Sequence, residues 1–162
     1  MADVGSDLSL RKRVGIIGSN MPDAQSLRNA ERMGELIARG GYILVNGGMR
    51  GVMEASARSC KDAGGFVIAI TPGKSRDEGN PFSDVVIPTG LGHMRNGIVV
   101  LNSDIVVAID GSYGTLSEIA YCKIYERIVF GLNTWKIEGV ISMPTPEAVM
   151  EKINDYFKKI NG

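Results

Sequence analysis

The stretch AIDGSYGTLSEIA (108–120) has the pattern of a strand that enters a glycine-rich turn and continues directly into a helix. Such a turn lets backbone N–H groups and a helix N-terminus point at an anion, which suits a phosphate group. The stretch therefore predicts a strand–turn–helix unit with an anion held near residues 110–115.

Other short apolar runs bounded by Gly, Pro, Asn or Asp predict further strands. With the strand that precedes this turn, they span residues 13–19, 41–48, 65–73, 83–90, 103–111 and 127–132. Continuous apolar runs of this length are typical of strands covered on both faces. Helical spacing lies between them, for example over residues 24–39, and a final helix is expected after Thr145, with Ile160 on its packed stripe.

The alternation of strands and helices predicts an α/β fold with a mainly parallel sheet and helices on both faces. We expect a flexible N-terminal tail over residues 1–12 and one doubly wound, Rossmann-like domain over residues 13–162. In such sheets, ligands bind outside the carboxyl ends of the strands, where the strand order reverses. Three glycine-rich turns are expected there, at 18–20, 46–51 and 110–115.

Composition excludes several classes of function. The 162 residues carry 18 basic and 18 acidic side chains, so no electrostatic surface for nucleic acid is expected. Cys60 and Cys122 have neither the spacing nor the density of a metal site or a disulfide framework, so we expect buried free thiols and no metal. With no apolar run of 18 residues, a cytoplasmic protein without a membrane partner is expected.

The common nucleotide-binding fingerprints are absent. GxGxxG would need glycine where the chain has Arg50 or Tyr113, and the P-loop pattern at 73–75 lacks its first glycine, because residue 68 is isoleucine. A dinucleotide site and a P-loop NTPase are therefore not predicted.

Residues 92–118, GHMRNGIVVLNSDIVVAIDGSYGTLSE, resemble a two-part family signature. The signature, MHxRK followed by PGGxGTxxE, belongs to the LONELY GUY family, the lysine decarboxylase-like Rossmann nucleotide-binding superfamily. The matching residues are His93, Arg95, Gly111, Gly114, Thr115 and Glu118. TGLGHMRN (89–96) further resembles the small branch of molybdenum cofactor carrier proteins. Larger members of the family are phosphoribohydrolases, so the resemblance implies a bound nucleotide-like phosphate and leaves the reaction open.

Three positions depart from the hydrolase signature: Asp110 replaces its Pro, Ser112 its second Gly and Asn96 its Lys. A lost cation and a gained carboxylate both weaken anion binding, each by about 1 kcal/mol. The Ser112 hydroxyl could donate to a phosphate oxygen, although its Cβ would resist a positive φ.

The glycine-rich turns and the resemblance together give the candidate site. Ligand binding is predicted for Gly18, Ser19, Gly47, Gly48, Arg95, Asn96, Gly111, Ser112, Tyr113, Gly114 and Thr115. As the resemblance implies, the N–H groups of residues 111–115 would hold a 5′-phosphate. In a hydrolase, Glu118 would bind ribose or orient water, and Arg95 would fix the phosphate-sugar end.

Structural explanations for the same residues stay open. Thr115 and Glu118 could form a capping box, and Arg95 could bind backbone carbonyls. The only histidine, His93, could have a structural role, and Gly47, Gly48 and Gly51 could serve helix–strand packing.

Three functions remain. The first is a binding or carrier protein for a phosphorylated heterocycle, with no required cofactor but an AMP-like nucleotide or molybdopterin cofactor as candidate ligand. The second is a nucleoside 5′-monophosphate phosphoribohydrolase of the cytokinin-activating type, which cleaves the N-glycosidic bond. The third is a DNA-processing accessory domain. The resemblance also implies a homodimer or higher homo-oligomer, and residues 97–101 suit burial at an interface or in a core.

Overall fold

A seven-stranded parallel sheet forms the centre of the protein in the computed structural model, which describes residues 7–162. The strands are β1 (Arg13–Gly18), β2 (Ile43–Asn46), β3 (Phe66–Thr71), β4 (Val85–Pro88), β5 (Ile105–Ile109), β6 (Val129–Leu132) and β7 (Val140–Ser142). The α-helices are α1 (Ala24–Arg39), α2 (Val52–Asp62), α3 (Asn96–Leu101), α4 (Tyr113–Ile124) and α5 (Pro146–Asn161). The predicted α/β, Rossmann-like fold is confirmed.

The order of the strands places a crevice in the middle of the sheet. They lie in the order β4-β3-β2-β1-β5-β6-β7, so the chain builds outward in one direction from β1 and then in the other from β5. At the carboxyl end of this central pair, Gly18 lies beside Ile109. The connections after β1 and β5 leave toward opposite faces of the sheet at this point, and the gap between them is where ligands bind in folds of this kind.

Both faces of the sheet are covered by helices. Along β5, Ile105, Val107 and Ile109 belong to one buried cluster with residues of α1, α2 and α5. The intervening Val106 and Ala108 belong to a second cluster with residues of α3 and α4. Because successive side chains of a strand point to opposite faces, a continuous apolar run fits a strand that is buried on both sides.

The structure differs from the sequence-based expectations in five places. The strand β4 was predicted to be covered on both faces, but Val85 is 40% and Ile87 44% exposed, because β4 lies at an edge of the sheet. The strand β7 was missed, because its three residues pair only with β6 at the edge of the sheet. Ile160 is 53% exposed and does not belong to the packed stripe of α5, since it lies in the last turn of that helix. Short 3-10 helices form at Arg76–Glu78 and Gly92–Arg95, in segments where no helix was predicted.

The predicted flexible tail is described only in part. Residues 1–6 lie outside the described residues, whereas Leu8–Leu10 form a 3-10 helix that begins after Asp7, whose side chain accepts a hydrogen bond from the Ser9 N–H. Within residues 7–162, no helix is both long and apolar enough to cross a membrane.

Candidate anion-binding site

A cavity of about 320 Å³ opens at the carboxyl ends of β1 and β5. Its walls come from the turns that follow β1, β2, β3 and β5, together with the segment that leads into α3. The lining residues are Gly18, Asn20, Met49, Met53, Pro72, Gly92, His93, Arg95, Asn96, Ser112, Gly114, Thr115 and Glu118. The cavity therefore lies at the position that the order of the strands favours for a ligand.

The N-terminus of α4 presents unused hydrogen-bond donors to this cavity. Ser112 is the N-cap residue, but its side chain makes no capping hydrogen bond. No acceptor for the N–H groups of residues 112–115 is found among residues 7–162. Thr115 is only 2% exposed, and its Oγ1 also lacks a partner within the same residues. The first N–H groups of a helix have no partner within the helix, and buried polar groups such as the Thr115 hydroxyl are nearly always paired, so these donors are available to the oxygens of a ligand.

The turn before α4 takes its unusual backbone at Asp110 and Gly111. Asp110 has φ 57° and Gly111 has φ 138°, whereas Ser112 has an ordinary φ of −105°. The expectation that the Cβ of Ser112 would resist the turn is therefore wrong. Glycine is required at residue 111 for two reasons. Its positive φ is unfavourable for other residues, and a Cβ there would lie 2.7 Å from the Cβ of Thr115.

The carboxylate of Asp110 is bound within the turn, and Asp110 is not among the residues that line the cavity. It accepts hydrogen bonds from the N–H of Gly111 at 2.6 Å and from the N–H of Asp23 at 3.1 Å. The repulsion expected between this carboxylate and a bound anion is therefore reduced. The Gly111 N–H is already used, so the free backbone donors are those of residues 112–115 rather than the predicted 111–115.

Arg95 is a buried cation in the cavity wall. It is 7% exposed, and its Nε donates to the Ile70 carbonyl at 2.9 Å while Nη2 donates to the Gly47 carbonyl at 3.2 Å. Its Nη1 donates to the Oδ1 of Asn96. Burial lowers the pKa of Arg95, and the nearby Glu118 opposes that shift. The guanidinium thus binds carbonyls, as the structural explanation held, and also places positive charge beside the cavity.

Replacing Gly47 with alanine is expected to displace this arginine. A Cβ at residue 47 would lie 2.5 Å from Nη2 and 2.9 Å from Cζ of Arg95. Since three hydrogen bonds hold the guanidinium, we expect a loss of about 2 kcal/mol of unfolding free energy. Urea denaturation measures that loss, and a variant as stable as the wild type would show that Arg95 moves aside freely.

Glu118 lies in the same wall, one and a half turns into α4. It is 7% exposed, and burial raises its pKa to about 8, with the charge of Arg95 acting in the opposite direction. The capping-box interpretation is wrong, because α4 begins at Tyr113 and Thr115 therefore lies inside the helix rather than at its N-cap. At pH 7 most Glu118 side chains are protonated and neutral.

This carboxyl predicts a fall in stability with rising pH. The folded protein holds the Glu118 proton up to about pH 8, whereas the unfolded chain releases it near 4.5. The unfolded state thus binds fewer protons in this window, and the unfolding free energy decreases between these values by on the order of several kcal/mol. Denaturation of wild type and Glu118→Gln at pH 5 and 8.5 checks this. The variant should lose much of the pH dependence, and equal slopes for the two proteins would contradict it.

The structure divides the predicted site residues into two groups. Seven line the cavity: Gly18, Arg95, Asn96, Ser112, Gly114, Thr115 and Glu118. Five do not: Ser19, Gly47, Gly48, Gly111 and Tyr113.

The residues of the second group support the cavity from outside or point to solvent. The Ser19 carbonyl accepts from the Val52 N–H, and the Gly48 N–H donates to the Oδ1 of Asn46. Tyr113 is 81% exposed, with its ring centroid 6.0 Å from that of Trp135. Ser19 and Gly48 thus make hydrogen bonds through their backbone, and the side chain of Tyr113 faces solvent.

The sequence-based prediction missed the apolar part of the cavity. This apolar part consists of Met49, Met53 and Pro72. The lining also includes Asn20, Gly92 and the exposed His93, which were not among the predicted ligand-binding residues. A signal was present, since Met49 lies within the second glycine-rich turn and Met53 follows that turn by two residues.

The comparison with protein families decides the assignment. The family model described as LDcluster4, SLOG cluster4 family, matches residues 11–156. The chain belongs to the SLOG cluster4 family. A relative of this SLOG cluster4 protein, an uncharacterized protein of Archaeoglobus fulgidus, is 46% identical over 83% of this chain and 89% of its own length. A rice protein named as a probable cytokinin riboside 5′-monophosphate phosphoribohydrolase is 25% identical over 86% of this chain and 81% of its own.

Solved structures of two molybdenum cofactor proteins are similar to that of the SLOG cluster4 protein. The molybdenum cofactor binding protein of Rippkaea orientalis is 32% identical, with a TM-score of 0.86 over 91% of this chain and 98% of its own. The molybdenum cofactor carrier protein of Chlamydomonas reinhardtii is 27% identical, with a TM-score of 0.84 over 91% and 99%. The predicted relationship to the LONELY GUY family and its small carrier-like branch is confirmed.

Proposed function

We propose that this SLOG cluster4 protein is a binding or carrier protein for a phosphorylated heterocycle, either a nucleoside monophosphate or the molybdenum cofactor. The observation that carries the proposal is the set of unpaired donors at the start of α4. The backbone N–H groups of Ser112, Gly114 and Thr115 and the buried Thr115 Oγ1 belong to residues that line one cavity, and none of these donors has an acceptor within residues 7–162. A phosphate group supplies several acceptor oxygens and the negative charge that a helix N-terminus favours.

The charges around these donors also suit an anion. Arg95 is the buried cation of the cavity wall, and Glu118 is mostly neutral at pH 7 because burial raises its pKa to about 8. A neutral carboxyl avoids repulsion with the phosphate and can donate a hydrogen bond. The cavity therefore favours an anionic ligand at neutral pH.

The apolar part of the cavity gives the place for the heterocycle. Met49, Met53 and Pro72 line the cavity together with the α4 turn. Methionine side chains adapt to the shape of an aromatic ligand, and sulfur makes favourable contacts with ring systems. A phosphate at one end and a flat ring at the other describe both candidate ligands.

The molybdenum cofactor fits this arrangement as cargo held through its phosphate and pterin. Neither cysteine lines the cavity, and burial raises the pKa of both thiols to about 12. Within residues 7–162 there is no cluster of side chains suited to ligating a metal ion. Recognition would rest on the organic part of the ligand, as it would for a nucleotide.

A direct test identifies what the protein retains. Protein purified under anaerobic conditions is denatured, and the released small molecules are identified by mass spectrometry and metal analysis. We expect a phosphorylated heterocycle or, after adding AMP or molybdopterin, a higher melting temperature with intact ligand. Wild-type protein that binds none of these at millimolar concentration would overturn the proposal.

The cavity also favours a second candidate, a nucleoside 5′-monophosphate phosphoribohydrolase. Arg95 and Glu118, the two residues assigned to catalysis by the family resemblance, line the same cavity. A carboxylate stabilises the developing charge on the sugar ring, but burial raises the pKa of Glu118 to about 8, so the protonated form is favoured at neutral pH. Any hydrolysis that depends on the carboxylate should therefore rise with pH up to about 8.

The two candidates are separated by incubating the protein with AMP and other nucleoside monophosphates at pH 7 and pH 9. Chromatography detects free base and ribose 5-phosphate, with Glu118→Gln as the matched control. Release by wild type alone, greater at pH 9, would make this protein a hydrolase. Intact nucleotide that still raises the melting temperature supports the carrier.

A homodimer or larger assembly and a cytoplasmic location stay predictions. Outward-facing apolar side chains on α3 and α4, among them Leu101 and Ile124, are exposed in the single chain. Burial of such side chains between copies would stabilise an assembly. Light scattering of the purified protein measures its mass, and a monomer at high concentration would contradict the prediction.

A further inference from the structure

The loop between β6 and β7 holds the turn that opens α4. Thr134 Oγ1 donates to the Asp110 carbonyl at 2.5 Å, and Trp135 Nε1 donates to the Ser112 carbonyl at 3.2 Å. These two carbonyls lie on either side of Gly111. Neither Thr134 nor Trp135 lines the cavity or belongs to the family signature.

The planarity of the peptide bond connects these contacts to the N–H groups at the start of α4. In a trans peptide, the carbonyl of one residue and the N–H of the next point in opposite directions. The Ser112 carbonyl, held by Trp135 and by the Leu116 N–H at 3.0 Å, therefore fixes the direction of the Tyr113 N–H. The Asp110 carbonyl, held by Thr134, likewise fixes the Gly111 N–H, which donates to the Asp110 carboxylate.

The backbone of the turn needs such support. Asp110 has φ 57°, in the left-handed region that costs free energy for a residue with a Cβ. The proline of the hydrolase signature could not take this conformation, because its ring holds φ near −65°. The turn of this chain therefore has a different local geometry from one built on proline, and its shape depends on contacts from outside the turn.

The same loop also forms hydrogen bonds with the turn between β1 and α1 and with the first turn of α1. Asn133 donates to the Oδ2 of Asp23 at 3.2 Å and to the Oγ of Ser26 at 3.1 Å. The N–H of Asp23 in turn donates to the Asp110 carboxylate at 3.1 Å. The loop thus joins the turns after β1 and β5, on both sides of the crevice.

We propose that Thr134 and Trp135 are positioning residues, which aim the N–H groups at the start of α4 and thereby set the affinity for the ligand phosphate. The proposal rests on the proposed function, because those N–H groups are the ones assigned to the phosphate. Trp135 is the single tryptophan of the chain, so its fluorescence reports on this contact directly.

The first experiment compares two substitutions of one residue. Thr134→Val has nearly the same shape but removes the hydroxyl, whereas Thr134→Ser keeps it. In calorimetric titrations with AMP, we expect Thr134→Ser to bind within about twofold of wild type and Thr134→Val to bind about fivefold more weakly. Trp135→Phe, which keeps an aromatic ring beside Tyr113, should show a similar loss. AMP should also shift the tryptophan emission of wild type and of Thr134→Ser.

The second experiment needs no ligand and separates this proposal from the proposed function. Amide hydrogen exchange of the free proteins should be about fivefold faster at Leu116 in Trp135→Phe than in wild type, since the carbonyl that receives its N–H is less firmly held. Exchange at Ile153 in α5 serves as the control for overall stability.

The outcomes are distinct. If wild type binds none of AMP, inorganic phosphate and molybdopterin, the proposed function is overturned. The exchange experiment would still test whether the loop holds the turn. Equal AMP affinity in Thr134→Val and Thr134→Ser would overturn the positioning role. Unchanged exchange at Leu116 would do the same.

Discussion

Valine in place of Gly114 is expected to abolish binding of a phosphorylated ligand while leaving the protein folded. Gly114 lines the cavity in the first turn of α4, where its N–H is one of the unpaired donors. The γ-methyl groups of valine would occupy space beside these donors. Because hydrogen bonds to a charged group contribute about 1.5–3 kcal/mol each, losing the phosphate contacts should weaken binding at least about 100-fold.

The protein offers a matched control at the same position. A Cβ at residue 114 would lie 3.9 Å from the nearest neighbouring atom, Nδ2 of Asn96, so Gly114→Ala fits without a clash. Alanine also favours the helix by about 1 kcal/mol over glycine. Titration with AMP and urea denaturation of both variants give the two readouts. A folded Gly114→Val protein that binds AMP with wild-type affinity would show that the N-terminus of α4 is not part of the binding site.

Alanine at Gly34 is expected to lower the unfolding free energy by about 3 kcal/mol, the largest effect of a substitution on stability that we predict. Gly34 lies on α1 where that helix packs on α2. A Cβ there would lie 2.1 Å from the Ser56 carbonyl oxygen and 2.3 Å from the Oγ of Ser59. The Ser56 carbonyl belongs to the α2 backbone, so relief requires the two helices to separate.

The contrast between two helical glycines tests this explanation. The same change, glycine to alanine, should destabilise at residue 34 and stabilise at residue 114, although helix propensity favours alanine at both. Urea denaturation of the two variants beside wild type measures the difference. Equal effects would mean that α1 and α2 adjust their packing, and that the close approach at Gly34 contributes little.

Much of the fold followed from local patterns in the chain. Six of the seven strands are continuous apolar runs. The two α-helices whose start has a side-chain cap, at Asp23 and Thr145, carry residue types favoured there. The strand β7 has no such signal. Its residues are half-buried or exposed, and it forms because β6 offers an edge with which it can pair.

The candidate site was predictable to the extent that it depends on residue type. The spacing of Arg95, Gly114, Thr115 and Glu118 placed these four together, and all of them line the cavity. The spacing could not show that the Gly111 N–H is already bonded to Asp110, or that Met49 and Met53 complete the wall. Those facts depend on the directions of side chains from separate turns.

The sequence by itself determined the alternation of strands and helices, the glycine-rich turns and the family. Each of these depends only on residues that are neighbours or regularly spaced in the chain. Only the tertiary structure decided which donors are free, which way Asp110 points and how far Glu118 is removed from water. Those properties arise when segments distant in the chain meet, as Thr134 and Trp135 meet the turn at Gly111. The burial of a side chain and its hydrogen-bond partners depend on this tertiary packing, because no local pattern specifies the surroundings of a side chain.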